Sequence, residues 1–118
     1  MAAPNIVNVA TITAKTALAA LATTTSNVIT NSTGSSTVAK INNITLANYS
    51  SSSVTASVFV NRSATLYYIA GGVNIPANST LVLMAKDTSI YMEEGDVLQA
   101  NVSSNSAVSA SASYELIA

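Results

Sequence analysis

The sequence predicts an all-β fold, a single antiparallel β-sandwich or jelly-roll-like domain of about 8–10 short strands. The chain has 118 residues, which is the usual size of one domain. Apolar and polar residues alternate over short runs along the whole chain, as they do in strands with one buried face. Clusters of Ser, Thr, Asn and Gly separate these runs at regular spacing, as turns do in sandwiches. Residues 1–118 are therefore expected to form one β-sandwich domain.

The first half of the chain contains four predicted strands, which cover residues 5–13, 15–21, 26–30 and 37–48. In the second of these windows the alanines and leucines favour a helix. The window is short, however, and the Thr and Val residues around it favour a strand. In the fourth window the apolar positions change parity around Asn42 and Asn43, which predicts a β-bulge there.

The second half contains six predicted strands, which cover residues 54–60, 65–70, 80–86, 89–92, 97–102 and 107–117. The uninterrupted alternation of the first of them places Val58 in the core. Residues 61–63 are predicted to form the turn of a hairpin between the first two. Gly71 and Gly72 are expected to end the next strand. Pro76 lacks an N–H group, which places the residues before it at a sheet edge or a corner.

The charge content of the chain is unusually low. Only 8% of the residues are charged, against about 25% in ordinary soluble domains. The polar surface must come instead from 18 Ser, 14 Thr and 12 Asn residues. A surface of this kind can be buried against another protein without removing water from charges. The net charge of −1 also gives little repulsion between copies. The composition therefore predicts a protein that assembles with other proteins and forms homo-oligomers.

The residue types that are missing exclude several function classes. The chain has no Cys and no His, which excludes a disulfide framework, a Cys/His zinc site, a thiol nucleophile and a histidine general base. Four basic and five acidic residues provide no electrostatic surface for nucleic acid or for an anionic membrane. No apolar run reaches the ~18–20 residues of a membrane-spanning helix. We expect a protein that is not an enzyme and that uses no cofactor.

Four of the five acidic residues lie close together in the sequence and form a weak candidate metal site, namely Asp87, Glu93, Glu94 and Asp96. Calcium takes several carboxylate and carbonyl oxygens from loops, although this spacing does not match an EF-hand. The favoured alternative is a solvated turn at residues 93–96, in which Gly95 supplies a positive φ angle.

Two further patterns have an ordinary and a functional interpretation. Tyr residues at five positions are typical of the edge of a core, although they could also form a platform that stacks sugars: Tyr49, Tyr67, Tyr68, Tyr91 and Tyr114. Six Asn residues stand in Asn-x-Ser/Thr sequons, at positions 31, 43, 48, 61, 78 and 101. Their number is explained by the abundance of Ser and Thr together with turn chemistry, since a sequon has meaning only in a secreted protein.

Three stretches together resemble small structural proteins of tailed phages, especially those of cyanobacteria. They are PNIVNVATIT at residues 4–13, LYYIA followed by IPANSTLVL at residues 66–70 and 75–83, and IYMEEGDVL at residues 90–98. The resemblance spans most of the chain. It implies a component of the virion whose partners are the major capsid protein or other virion proteins.

Within that resemblance we expect a capsid decoration (cement) protein that binds the outer shell. A lone domain without a shaft or coiled coil suits a decoration better than a fibre. The alternatives are a tail, neck or baseplate component that anchors a fibre or binds a receptor, and a glycan-binding adhesin module. Residues 1–9 are expected to act as a docking arm or edge strand, with Pro4, Asn5, Ile6 and Val7 at the interface.

Overall fold

A computed structural model describes residues 10–118, including the side chains of all of these residues except Lys86. Within this range the chain forms nine strands and one short 3-10 helix, Lys86–Thr88. The strands are β1 (Ile12–Ala20), β2 (Ser26–Thr30), β3 (Val38–Asn48), β4 (Val54–Arg62), β5 (Thr65–Ile75), β6 (Ser79–Met84), β7 (Ile90–Met92), β8 (Val97–Val102) and β9 (Val108–Ile117). Among the described residues no helix is long and apolar enough to cross a membrane.

The strands form two antiparallel sheets that pack face to face. The first sheet has the order β1-β9-β3-β6, and the short strand β7 also pairs with β3. The second sheet has the order β2-β8-β4-β5. Without β7, two sheets of four strands remain, and the chain passes repeatedly from one to the other, which is the connectivity of a jelly roll. The predicted fold class is confirmed.

The core lies between the two sheets and is built from the inward residues of each strand. Ile41, Ile44 and Leu46 of β3 face Val58 of β4 and Leu98 of β8 across the sandwich, and each side chain is at most 1% exposed. Burying one such side chain contributes about 1.5–3 kcal/mol. The central strands therefore supply much of the stability that holds the loops at both ends in place.

A bulge in β3 explains the parity change of the sequence. The register between β3 and β9 shifts between Ile41 and Asn43, so the predicted bulge is confirmed. Residues three apart in a regular strand point to opposite faces. The extra residue at the bulge allows Ile41 and Ile44 to face the same core.

The beginning of the chain differs from the predicted elements. The predicted strand at residues 15–21 is confirmed up to Ala20, but it belongs to one longer strand that begins at Ile12. The N–H groups of Ala10 and Thr11 donate to the carbonyl oxygen of Ala118, at 2.7 Å and 3.2 Å. Residues 1–9, which include most of the first predicted strand, lie outside the described residues.

The prediction that Gly71 and Gly72 end a strand is wrong, because β5 continues to Ile75. The register against β4 shifts at this point. Gly72 adopts a φ of 63°, and its N–H donates to the Ser57 hydroxyl at 2.9 Å. The glycines therefore form a bulge within the strand. Pro76 follows the last residue of β5, which is an edge strand of the second sheet, as its missing N–H predicted.

Two further boundaries need correction. The hairpin between β4 and β5 turns at Ser63 and Ala64, with φ values of 53° and 65°, and not at residues 61–63. Positive φ at both central residues is the conformation of a type I′ turn. The sixth strand ends at Met84 and not at residue 86, because a 3-10 turn follows it. The N–H and hydroxyl groups of Thr88 both donate to the Ala85 carbonyl in that turn.

Candidate interaction surfaces

The jelly-roll connectivity brings four loops together at one end of the sandwich. Each of them connects one sheet to the other, and they comprise residues 21–25, 49–53, 76–78 and 103–107. The loops are hydrogen-bonded to one another. The N–H of Asn78 donates to the Ser50 carbonyl at 3.1 Å, and the N–H of Thr23 donates to Oδ1 of Asn105 at 2.8 Å. No residue of these loops is charged. We call this surface the neutral end.

Asn48 fixes two of the loops at the neutral end. Its side-chain amide donates to the carbonyl oxygens of Ser52, Ile75 and Pro76 at 2.9–3.2 Å. Its Oδ1 accepts from the N–H and hydroxyl groups of Ser50. Asn48 is only 2% exposed, so its amide is engaged inside the protein and not presented as a glycosylation acceptor. Turn chemistry accounts for this sequon.

The opposite end carries an ion-pair network around Asp96. Arg62, the last residue of β4, donates from Nε to Oδ1 of Asp96 at 2.8 Å and from Nη2 to Oδ2 at 2.6 Å. The backbone N–H of Glu93 donates to the same Oδ2 at 2.9 Å. The Glu93 carboxylate also lies 3.1 Å from Arg62. The side chain of Asp96 is 2% exposed, whereas that of Arg62 is 48% exposed.

The network perturbs both partners of the central pair. Burial by itself raises the pKa of Asp96, but the hydrogen bonds from Arg62 and from the Glu93 backbone outweigh burial and hold the pKa below its usual value. The hydrogen bond to Asp96 raises the pKa of Arg62 above its usual range, against the opposing effect of burial. Both groups therefore remain charged at neutral pH, and the pair links the β4–β5 hairpin to the turn before β8.

Glu94 holds the neighbouring loop between β2 and β3. Its carboxylate accepts from the backbone N–H groups of Ser36 at 2.7 Å and Gly34 at 3.3 Å. Asn31, which is 2% exposed, donates from its amide to the carbonyl oxygens of Thr37 and Met92, both at 3.0 Å. We call this surface, formed by residues 31–37, 62–65 and 93–96, the charged end.

The four candidate metal ligands are used in different ways. Asp96 pairs with Arg62, and Glu94 binds backbone N–H groups. Asp87 is exposed in the 3-10 helix, outside the turn at residues 93–96. Within residues 10–118 no group of three or more acidic side chains is arranged to hold a metal ion. Gly95 has a φ of 88°, as the turn interpretation predicted, but Asp96 is buried and not solvated.

The remaining charges lie mostly towards the charged end. Lys40 and Glu115 are register partners across β3 and β9 near that end, and Lys15 lies in the half of β1 that starts there. Lys86 and Asp87 lie in the connection between β6 and β7. The few charged residues are therefore unevenly distributed, because most of them lie towards one end of the sandwich and the loops of the other end carry none.

The five tyrosines do not form one platform. Tyr49 lies at the neutral end and is 56% exposed. Tyr68 packs against its register partner Phe59, with ring centroids 5.0 Å apart. Tyr114 is half-buried against the core. Tyr67 and Tyr91 line a pocket of about 400 Å³ whose other walls are Val60, Arg62 and Ile90.

The predicted interface residues Pro4, Asn5, Ile6 and Val7 lie outside the described residues. The structure does show where the residues that follow this segment lie. Ala10 and Thr11 are hydrogen-bonded to Ala118, which follows the last residue of β9. The first described residues therefore lie at the charged end.

Comparison with known proteins shows a likeness of fold to a phage capsid structure. No family model and no curated protein matches the chain. The chain is similar to one in the acidic stable capsid structure of Helicobacter pylori bacteriophage KHP30, with a TM-score of 0.57 and 13% sequence identity. The match covers 94% of this chain and 90% of that chain. The two chains therefore share a fold over nearly their whole lengths.

Proposed function

We propose that this chain is a structural protein of a phage particle, and specifically a decoration protein on the outer shell of the capsid. The observation that carries the proposal is the fold shared, over 94% of this chain, with a chain in a phage capsid structure. The resemblance of three sequence stretches to phage structural proteins supports the same placement. The partners would be the major capsid protein and further virion proteins, and the chain would act without catalysis or a cofactor.

The physical properties of the surface favour such a role. A decoration protein must bind its neighbours and remain bound when the salt concentration changes. The attraction between exposed charges weakens as salt is added, because dissolved ions screen it with a Debye length of about 8–10 Å at ordinary ionic strength. Hydrogen bonds between neutral groups are not weakened in this way. With 8% charged residues, this chain can form contacts that depend little on salt.

The N-terminal segment and β1 favour contacts between copies. Among the described residues β1 pairs only with β9, so its other side is a sheet edge. Most of this strand is exposed, and Lys15 is its single charged residue. A long edge with few charges is a template for another strand. We propose that residues 2–9 of one copy dock on a neighbouring copy and that this contact makes the protein an oligomer.

The number of copies per particle tests the decoration role. Quantitative mass spectrometry of purified particles, with the major capsid protein as the internal reference, is expected to give hundreds of copies. A dozen copies or fewer would refute a shell decoration and would place the chain in the tail, neck or baseplate. A cryo-EM map of the same particles would show the position directly.

Glycan binding is a second candidate function, which the pocket between Tyr67 and Tyr91 favours. Its apolar floor and aromatic walls suit the faces of a sugar ring, and Arg62 at one side offers a hydrogen-bond donor. A glycan array would test this function. Binding that is lost in Tyr67→Ala but kept in Tyr68→Ala, at a neighbouring tyrosine with the same 59% exposure, would support it. An array without binding would refute it.

A further inference from the structure

The two ends of the sandwich differ in what burial against a partner would require. At the charged end a partner would cover Arg62 and Glu93, whose side chains are 48% and 64% exposed. Removing water from such groups is costly unless the partner supplies matched charges. At the neutral end the loops present hydroxyl, amide and backbone groups, which a partner can satisfy with ordinary hydrogen bonds.

The loops of the neutral end are also ordered before any partner binds. The five hydrogen bonds of Asn48 and the bond between Thr23 and Asn105 fix loops from different parts of the chain. The backbone N–H of Tyr49 donates to the Ala107 carbonyl at 2.9 Å, which anchors that exposed aromatic residue. Pre-ordered loops lose less conformational entropy on binding than free loops do. The neutral end is therefore preorganised for binding.

The composition of this surface is that of a protein-binding site. Loops rich in Tyr, Ser and Asn at one end of a rigid sandwich are what antibodies use to bind proteins, with Tyr as the anchor and the small polar residues as adaptable contacts. The neutral end offers one exposed tyrosine among serines, threonines and asparagines. We infer that the neutral end is the surface that docks on the capsid shell, and that it meets an uncharged polar surface of the shell protein.

This inference rests on the proposed function and adds an orientation to it. With the neutral end against the shell, the charged end faces the solvent, where its charges favour solubility of the particle. Residues 2–9 precede Ala10 in the chain, and Ala10 lies at the charged end, away from the shell. Eight extended residues reach about 26 Å, which matches the domain cross-section of 26 × 19 Å. The arm can therefore reach a neighbouring copy beside it.

The test uses the full-length chain and phage particles assembled without it as the probe. Binding is measured by co-sedimentation for the wild type and for two neutral-end variants, Tyr49→Ala and Ser104→Lys. The matched controls are Tyr68→Ala, at a tyrosine of similar exposure, and Ser32→Lys, at an exposed serine of the charged end. Circular dichroism and thermal melting establish that every variant is folded.

We expect the neutral-end variants to bind at least about tenfold more weakly, as loss of an interface anchor or insertion of an unpaired charge does. The controls should bind within about twofold of the wild type. Wild-type binding should change little between low and high salt. Equal binding of all variants, or loss confined to the controls, would overturn the inference while leaving the proposed function intact. Neutral-end variants that change only the oligomeric state would overturn it in favour of contacts between copies. Failure of the wild type to bind would refute the proposed function itself.

Discussion

The buried carboxylate of Asp96 offers the most direct test of what holds the charged end together. We consider Asp96→Asn, which keeps the shape of the side chain and removes its charge. In the wild type the carboxylate accepts two hydrogen bonds from Arg62 and one from the Glu93 backbone. An amide has one acceptor oxygen and cannot accept both bonds from the guanidinium.

The size of the effect follows from the exposure of the two partners. Breaking a buried ion pair costs about 3–5 kcal/mol when the remaining charge stays buried. Here the remaining charge belongs to Arg62, whose side chain is 48% exposed, so water can hydrate it after the substitution. We therefore expect a smaller loss, about 2 kcal/mol, close to that of one hydrogen bond to a charged group. For a domain of this size the loss lowers the melting temperature by ~8 °C.

The loss should depend on pH in a direction that the pKa of Asp96 determines. This pKa is lower in the folded chain than the value of about 3.9 in an unfolded one. The stabilisation by the charged carboxylate is therefore fully present above pH ~4 and disappears as the pH falls through the folded pKa. Urea unfolding of the wild type and the variant at neutral pH and at several acidic pH values would measure the difference. The gap between them should narrow as the pH falls below ~4.

Asp87→Asn is the matched control, because Asp87 is exposed in the 3-10 helix. It should leave the unfolding free energy within about 0.5 kcal/mol of the wild type. If Asp96→Asn were equally harmless at neutral pH, the ion pair would contribute nothing to stability. A loss of the same size at every pH would show that packing, and not the charge, is responsible.

Three other substitutions or deletions test the core, a turn and the N-terminal segment. Val58→Asp places an unpaired charge at a position that is 1% exposed and should prevent folding at a cost of several kcal/mol. The control Val82→Asp, at a 62% exposed strand position, should give folded, soluble protein. A native-like circular dichroism spectrum of Val58→Asp would contradict the assigned core. Ala64→Gly removes the strain of a non-glycine residue at a φ of 65° and should raise the unfolding free energy by about 0.5–1 kcal/mol, whereas Ala14→Gly within β1 should lower it by a similar amount. If denaturant titrations showed that both variants change the unfolding free energy in the same direction, the turn argument would be refuted. Deletion of residues 2–9 should leave the melting temperature nearly unchanged but abolish oligomers in analytical ultracentrifugation. It should also abolish incorporation into particles, because single copies lose the avidity of linked copies on the shell, and normal incorporation would contradict the docking arm.

The sequence was sufficient for the fold class because strand signals are local. Alternation within single windows predicted β3, β4, β8 and β9, and the parity change at Asn42 and Asn43 located a bulge that the register confirms. The wrong predictions concern local sequence signals that are compatible with two different structures. A Gly-Gly pair can end a strand or form a bulge within it, and which occurs here depends on Ser57 of the opposite strand accepting the N–H of Gly72.

The site was less predictable because its contacts join distant residues. Asp96 belongs to a segment that suggests a solvated turn, and its burial depends on Arg62, 34 positions earlier in the chain. In the sequence Asn31 and Asn48 stand out only as sequons, whereas in the structure both are buried and hydrogen-bonded. One signal was present in the sequence: Arg62 is the single arginine, and it stands at the end of a strongly alternating strand. Nothing in the spacing, however, identified its partner.

The fold topology brings uncharged loops from distant parts of the sequence together at one end of the sandwich. The four loops of the neutral end are separated in the sequence by segments that contain Lys40, Arg62 and Glu94, so no single stretch of the chain stands out as uncharged. The jelly-roll connectivity returns every second connection to the same end of the sandwich. Keeping charges out of those connections alone is enough to create a neutral surface. Because each of the four loops lies between different strands, a charge placed at an exposed position of any one of them should weaken docking without affecting the core. The contact can therefore be tested apart from the fold.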